Sequence, residues 1–276
     1  MDKNFPAVRT ASTVIIIPAR YASSRYPAKP LAPLIGATGI AKPLIQRSFE
    51  AASQVRGADT IHVATDDERI AEAVRGFGGT VLMTPTSCAN GTERVAAALE
   101  TLPDDTDIII NFQGDGLLTP PDLVERLIEH MRANAECQVA TVAVRCSPSA
   151  YRHLIEDQAA GRVGGTTAVL DARDDALYFS KRVLPHIPPG DARESDPPVL
   201  LHIGLYAYRR EALARYLAWS ETELERIEGL EQLRFLVHGV PVHVVRADPP
   251  EWDTIELNNP SDTAPIEAIL KARSIV

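Results

Sequence analysis

Apolar positions along the chain fall into short β-branched runs separated by amphipathic stretches of helical length. The runs TVIII (13–17), TIHVAT (60–65), TVLMT (80–84) and DIIINF (107–112) read as buried strands. Between them, residues 41–56, 67–77 and 92–101 predict helices, and a further helix is expected over 121–134, opened by Pro120 and Pro121. Parallel strands buried on both faces need helical crossovers. This half therefore predicts a doubly wound, mostly parallel, Rossmann-like α/β sheet with ligands at the carboxyl ends of its strands.

After QVATVAV (138–144) the rhythm changes. Residues 150–200 are rich in Gly, Pro, Asp and Arg around two short strand candidates, TTAVLD and ALYFS, which predicts a smaller mixed α+β subdomain. VLLHIGLYAY (199–208) reads as a buried strand, followed by helices over 209–218 and 222–237. The run VPVHVVRA and a helix over 262–273 close the chain. PPGDARESDPP (188–198) is the expected mobile loop. The whole, 1–276, reads as one domain whose parts are 13–145, 146–240 and 241–276.

Composition narrows the function classes. A chain of 276 residues, 45% hydrophobic and 24% charged, can bury a full core. Its net charge of −9 opposes nucleic-acid backbones and anionic membranes, so a bound nucleotide must be met by a few local cations. Cys88, Cys137 and Cys146 form neither a CxxC pair nor a zinc spacing. With no apolar leader in MDKNFPAVRTAS and no membrane-length apolar run, the expectation is a reduced, cytoplasmic protein.

Candidate chemistry clusters at strand ends. PARYASSRYPAKPL (18–31) gathers Arg20, Arg25 and Lys29 with Ser23 and Ser24 directly after the first strand, a set suited to a triphosphate. A solvated basic loop is the plain alternative, and the absence of GxxxxGK[ST] disfavours a P-loop ATPase. NFQGDG (111–116) ends a strand in Gln113, Gly114 and Asp115, where a carboxylate can hold Mg²⁺ beside a phosphate or simply occupy a turn. In NGTERVAAALE, Thr92 could cap the next helix, and in ATDDERI, Asp66 or Asp67 could do the same. His202, Tyr206, Glu231 and Gln232 sit in mostly apolar segments, either as satisfied core groups or as the wall of a pocket.

Taken in order, IIPARYASSRYPAKPL, VATDDERI, GTER, QGD, ALYFSK, HIGLYAY and LEQLR resemble the 3-deoxy-manno-octulosonate (Kdo) cytidylyltransferase family over about 13–272. The resemblance implies the nucleotide-diphospho-sugar transferase type of fold and CMP transfer from CTP to a small acidic acceptor. It implies that 13–145 binds CTP, that 146–240 binds the acceptor and contributes to a homodimer, and that Mg²⁺ is the cofactor. Arg20, Ser23, Arg25 and Lys29 then surround the CTP phosphates, and Asp115 ligates the metal. Gly91, Thr92, Arg94 and Gln113 frame the cytidine, beside Ala64, Thr65 and Asp66. Lys181, His202, Tyr206, Glu231 and Gln232 meet the acceptor. Arg20, Lys29 and Asp115 carry the catalysis.

The chain departs from that family at definable points. Gly116 and Leu117 replace the Glu-Pro that follows QGD, and Asn258 stands where a second metal-ligating Asp is expected. Glu256, two residues earlier and on the same face if 256–258 is a strand, is the alternative ligand, with Asp253 more distant. Leu201, Lys181 and Thr167 occupy positions that are basic, arginine and lysine in the family, and Lys cannot copy a bidentate Arg grip. Extra residues between PLAPLIG and KPLIQ predict a longer surface turn. These departures keep three rivals in view: a phosphonate acceptor such as phosphonoformate, a nucleotide-binding homologue with weakened catalysis, and a UTP- or GTP-dependent sugar-phosphate enzyme.

Overall fold

The first apolar run lies within β1 (Ser12–Ala19), where five consecutive residues from Thr13 to Ile17 are buried. Such a run cannot edge a sheet, and β1 is flanked on both sides, by β4 (Thr60–Thr65) and β6 (Thr106–Asn111), both parallel to it. The computed structural model describes residues 12–22, 26–252 and 254–276. Ser23, Arg25 and Asp253 lie outside the described residues.

The main sheet runs β11-β7-β10-β6-β1-β4-β5. Here β5 is Thr80–Met83, β7 Val139–Arg145, β10 Leu200–Arg209 and β11 His243–Ala247. All pairings along this path are parallel except those of β10, which is antiparallel to β6 and β7. A hairpin of β8 (Thr167–Leu170) and β9 (Ala176–Ser180) branches from the start of β10, giving the mixed portion expected after residue 146. A two-stranded hairpin, β2 (Pro33–Ile35) and β3 (Ala41–Pro43), occupies the extra sequence before the first helix. The predicted helix over 41–56 therefore begins only at Leu44, as α1 (Leu44–Ala52).

Helices cover both faces. One face carries α1, α2 (Glu68–Gly76) and α4 (Pro121–Ala133) over Ile15, Ile17, Ile108, Ile110 and Phe112. The other carries α3 (Gly91–Ala97), α6 (Arg210–Ala218) and α8 (Leu233–Val237) over Ile16, Ile109, Tyr206 and Tyr208. The period of two along β6 sends Asn111 to this second face, next to Tyr206 in register. A third cluster joins Leu44 and Leu117 to Leu257 and to α9 (Thr263–Ala272), which closes the chain.

Two elements differ from the sequence expectation. Residues 148–159 form a helix, α5 (Pro148–Ala159), capped by the Ser147 hydroxyl and opened by Pro148. The helix expected over 222–237 breaks in two. Its first part, α7 (Glu223–Glu228), ends at Gly229 in the left-handed conformation at φ 61°, and α8 restarts at Leu233. The break turns Glu231 and Gln232 toward the sheet.

Candidate functional site

A cavity of about 1080 Å³ opens at the carboxyl ends of β1 and β6, where a doubly wound sheet places its ligands. Its walls are built from both halves of the chain. Arg20 follows β1 and its guanidinium reaches the Ala89 carbonyl at 3.5 Å, spanning from the first loop to the turn before α3. Lys29 opens a single 3₁₀ turn, Lys29–Leu31, and its Nζ meets Asp115 Oδ2 at 2.5 Å. The cation and carboxylate singled out from separate motifs are thus one ion pair, largely sheltered from solvent.

Glycine is required in the turn that presents Asp115. A Cβ on Gly114 would lie 2.5 Å from the Pro18 carbonyl oxygen, so only glycine lets this turn pass β1 so closely. The Ser48 hydroxyl of α1 donates to the Gly114 carbonyl and pins the turn from below. Of the two residues standing for Glu-Pro, Gly116 closes the turn by donating to the Gln113 carbonyl, and Leu117 is buried in the third core cluster. The lost carboxylate is thus exchanged for an apolar anchor under the turn.

On the nucleotide side, Asn90 caps α3 by accepting from the Glu93 amide, which leaves Thr92 a different role from the expected cap. The Thr92 hydroxyl pairs with the Tyr208 hydroxyl at 3.1 Å, and its amide donates to Glu231 Oε2 at 3.0 Å. Asp67, not Asp66, caps α2. Asp66 instead accepts from Arg94 at 3.1 Å while Arg94 also bonds the Thr84 hydroxyl, fixing a guanidinium only 3% exposed at the cavity wall. Ala64 and Thr65 are fully buried in β4 and support the wall without forming it. Gly91, Arg94 and Gln113 line the cavity.

His202, Tyr206, Glu231 and Gln232 line the same cavity, with Glu231 directly against Gly91 and Thr92, so four of the five acceptor candidates come together. Burial pushes the His202 imidazole down to about 3, so it is neutral. Thr141 Oγ1 donates its one proton to the Leu205 carbonyl, so His202 Nε2–H is assigned as the donor to Thr141 at 2.9 Å and Nδ1 as an acceptor. Burial also raises the Glu231 carboxyl above its ordinary range and the Tyr206 phenol well above 10. Lys181 departs from the expected set. Its Nζ packs behind Gly229, at 2.7 Å from where a Cβ would stand, and is not part of the wall.

Glu256 and Asn258 both face the cavity, although residues 254–258 form no regular strand. Asn258 Nδ2 donates to Glu256 Oε2 at 3.3 Å, which keeps the two side chains together. Glu256 lies beside Gly204, whose open face also meets Gln113. Asp262, not singled out from the sequence, lines the same wall and accepts from the Asn258 and Asn259 amides. Among the described residues, no three His, Cys, Asp or Glu side chains gather into a metal cage. An ion here would need phosphate or water oxygens to complete its shell, which suits Mg²⁺ with Asp115, Glu256 and the Asn258 amide oxygen as hard donors.

A mostly parallel sheet with a basic loop, an acidic turn and a polar second chamber at its carboxyl edge defines a nucleotidyltransferase. The cytidylyltransferase family model matches residues 14–242, and the chain belongs to that family, among the 3-deoxy-manno-octulosonate cytidylyltransferases. Such a cytidylyltransferase of Maricaulis maris is 41% identical over 95% of this chain and 98% of its own. The mitochondrial enzyme of that name from Arabidopsis thaliana is 36% identical over 94% of this chain and 83% of its own. A solved CMP:2-keto-3-deoxy-manno-octonic acid synthetase complexed with CTP superposes with a TM-score of 0.79 at 34% identity, covering 96% of this chain and all of that one. The chain is therefore a CTP-dependent nucleotidyltransferase. Among the described residues, no helix is long and apolar enough to cross a membrane.

Proposed function

We propose that this enzyme transfers CMP from CTP to 3-deoxy-manno-octulosonate and releases pyrophosphate. The observation that carries the reading is one cavity lined by the Lys29–Asp115 pair, by Gly91, Arg94 and Gln113, and by His202, Tyr206, Glu231 and Gln232. The relative at 41% identity bears the name of this activity, and the solved neighbour was complexed with CTP.

An acceptor hydroxyl oxygen attacks the α-phosphorus. A P–O bond forms there as the bond to the β-phosphoryl oxygen breaks, and the hydroxyl proton passes to solvent. Arg20 and Lys29 are placed to neutralise charge on the phosphates and on departing pyrophosphate, and Gly91, Arg94 and Gln113 to hold the nucleoside. Asp115, with Glu256 and Asn258, would hold Mg²⁺, which supplies positive charge beside the phosphates. Ser23 and Arg25 join the phosphate loop in this reading, by resemblance alone. His202, Tyr206, Glu231 and Gln232 orient the acceptor by hydrogen bonds, His202 as a neutral imidazole. The homodimer and the cytoplasmic setting carry over with the same reading.

Pyrophosphate release measured with CTP, Mg²⁺ and each of Kdo, phosphonoformate and a sugar phosphate tests the assignment. Turnover with Kdo is expected. Turnover with phosphonoformate but not Kdo would replace the acceptor, and CTP binding without turnover on any acid would support the weakened homologue.

A further inference from the structure

The GTER motif contains one charged residue that the proposed mechanism does not use. Glu93 follows Thr92 in the first turn of α3 and is not part of the cavity wall. Its carboxylate is nonetheless divided between two partners. Oε2 accepts from the Ala89 amide at 2.8 Å, and Oε1 accepts from the Arg234 guanidinium at 3.1 Å. Arg234 is buried, and it also bonds both Glu225 oxygens and the Trp219 carbonyl.

Each partner belongs to a segment that does line the cavity. Ala89, Asn90 and Gly91 form the turn ahead of α3, and the Ala89 carbonyl is the group that Arg20 reaches. Glu225 and Arg234 flank the break between α7 and α8, where residues 229–232 line the same cavity. A second strut runs beside the first. Asn90 Nδ2 donates to the Tyr216 hydroxyl at 3.2 Å, and that hydroxyl donates to Glu225 Oε1 at 3.2 Å. Both struts thus lead from the turn at 89–91 to Glu225. A carboxylate suits this bridging position because its two oxygens can accept from two donors at once, whereas an amide offers a single acceptor oxygen.

We propose that Glu93 is a positioning residue for the transfer. By holding the turn at 89–91 against Arg234, it fixes the nucleotide relative to the segment at 229–232 that meets the acceptor. Glu93 touches neither substrate. It acts through Ala89 and Arg234 on the alignment of the acceptor oxygen with the α-phosphorus, where a misplacement of about 1 Å can cost about 10²-fold in rate. The inference rests on the functional reading above and deepens it.

Two variants isolate the bridge. Glu93→Ala removes it, and Glu93→Gln keeps the volume but leaves one acceptor oxygen for two donors. In both, Arg234 keeps its bonds to Glu225 and Asn90 still caps α3, so the fold should persist. Turnover is read as pyrophosphate release at saturating CTP and Kdo, and CTP affinity by titration calorimetry. The kcat should fall by about tenfold or more in Glu93→Ala and about threefold or more in Glu93→Gln, while the Kd for CTP stays within about threefold of wild type. A merely structural Glu93 would lower the thermal midpoint and leave kcat at the assay temperature unchanged, and that result would overturn the inference. So would a Kd for CTP that rises as much as kcat falls. Amide hydrogen exchange of the substrate-free protein gives a readout that does not depend on the acceptor. Glu93→Ala should speed exchange at both 89–91 and 229–232, and no change at either segment would also overturn the inference. A wild type that turns over none of the acids would defeat the functional reading instead, and the exchange result would then decide this inference alone.

Discussion

The Lys29–Asp115 pair joins two motifs 86 residues apart and, in the proposed mechanism, is the reaction centre at the scale of single side chains. Lys29→Ala or Asp115→Asn should lower kcat by about 10²-fold or more, because charge neutralisation is lost where it develops. Turnover should fall by far more than stability measured by urea unfolding, since both side chains border the open cavity, where water can solvate the group left behind. A variant with full turnover would remove that residue from the mechanism. His202 gives a different kind of prediction. Its imidazole falls from 6.5 to about 3 on folding, so the unfolded chain binds a proton that the folded one refuses across this window. Stability present at neutral pH is therefore lost as pH falls from 6.5 toward 3, and His202→Asn should flatten that decline in thermal midpoint. The raised Glu231 carboxyl has the opposite sign, losing stability as pH rises through its folded value, so the comparison is between variant and wild type at each pH. Lys29 and Asp115 were legible in the sequence because their residue types sit beside strand ends. Lys181, expected at the acceptor, packs its Nζ against Gly229, a contact that sequence order does not show.

At the scale of elements, the break between α7 and α8 is what delivers Glu231 and Gln232 to the cavity. Arg234 of α8 holds it by bonding both Glu225 carboxylate oxygens at 2.7 Å and reaching Glu93 beside α3 at 3.1 Å. Thr222 and Glu225 add a capping box at the start of α7. Arg234→Ala leaves Glu225 buried and unpaired, so it should cost about 3–5 kcal/mol in denaturant unfolding and disturb acceptor KM as well. An unfolding curve matching wild type would show that the network does not hold these helices. The sequence showed a helical pattern through this region but not its interruption, because Gly229 is a single residue inside apolar spacing. It missed α5 for the converse reason. Only Tyr151 and Leu154 of that helix are buried, too few to declare a period, although Ser147 and Pro148 mark its start. The parallel half was legible because β1 and β6 are buried along most of their length and show it as apolar runs.

At the scale of the molecule, an acidic chain of net charge −9 brings Arg20, Lys29 and Arg94 into one cavity with His202, Tyr206 and Gln232. The acceptor side departs most from the family pattern, with Leu201 and Thr167 standing where basic residues are expected and Lys181 where an arginine is expected. The most direct measurement is the pyrophosphate released by the purified protein with Kdo and Mg²⁺ when CTP, UTP or GTP is supplied in turn, with the CMP-linked product identified by mass spectrometry. The account predicts turnover with CTP and formation of CMP–Kdo. Pyrophosphate release with UTP or GTP at an equal rate, or none with CTP and Kdo, would contradict it.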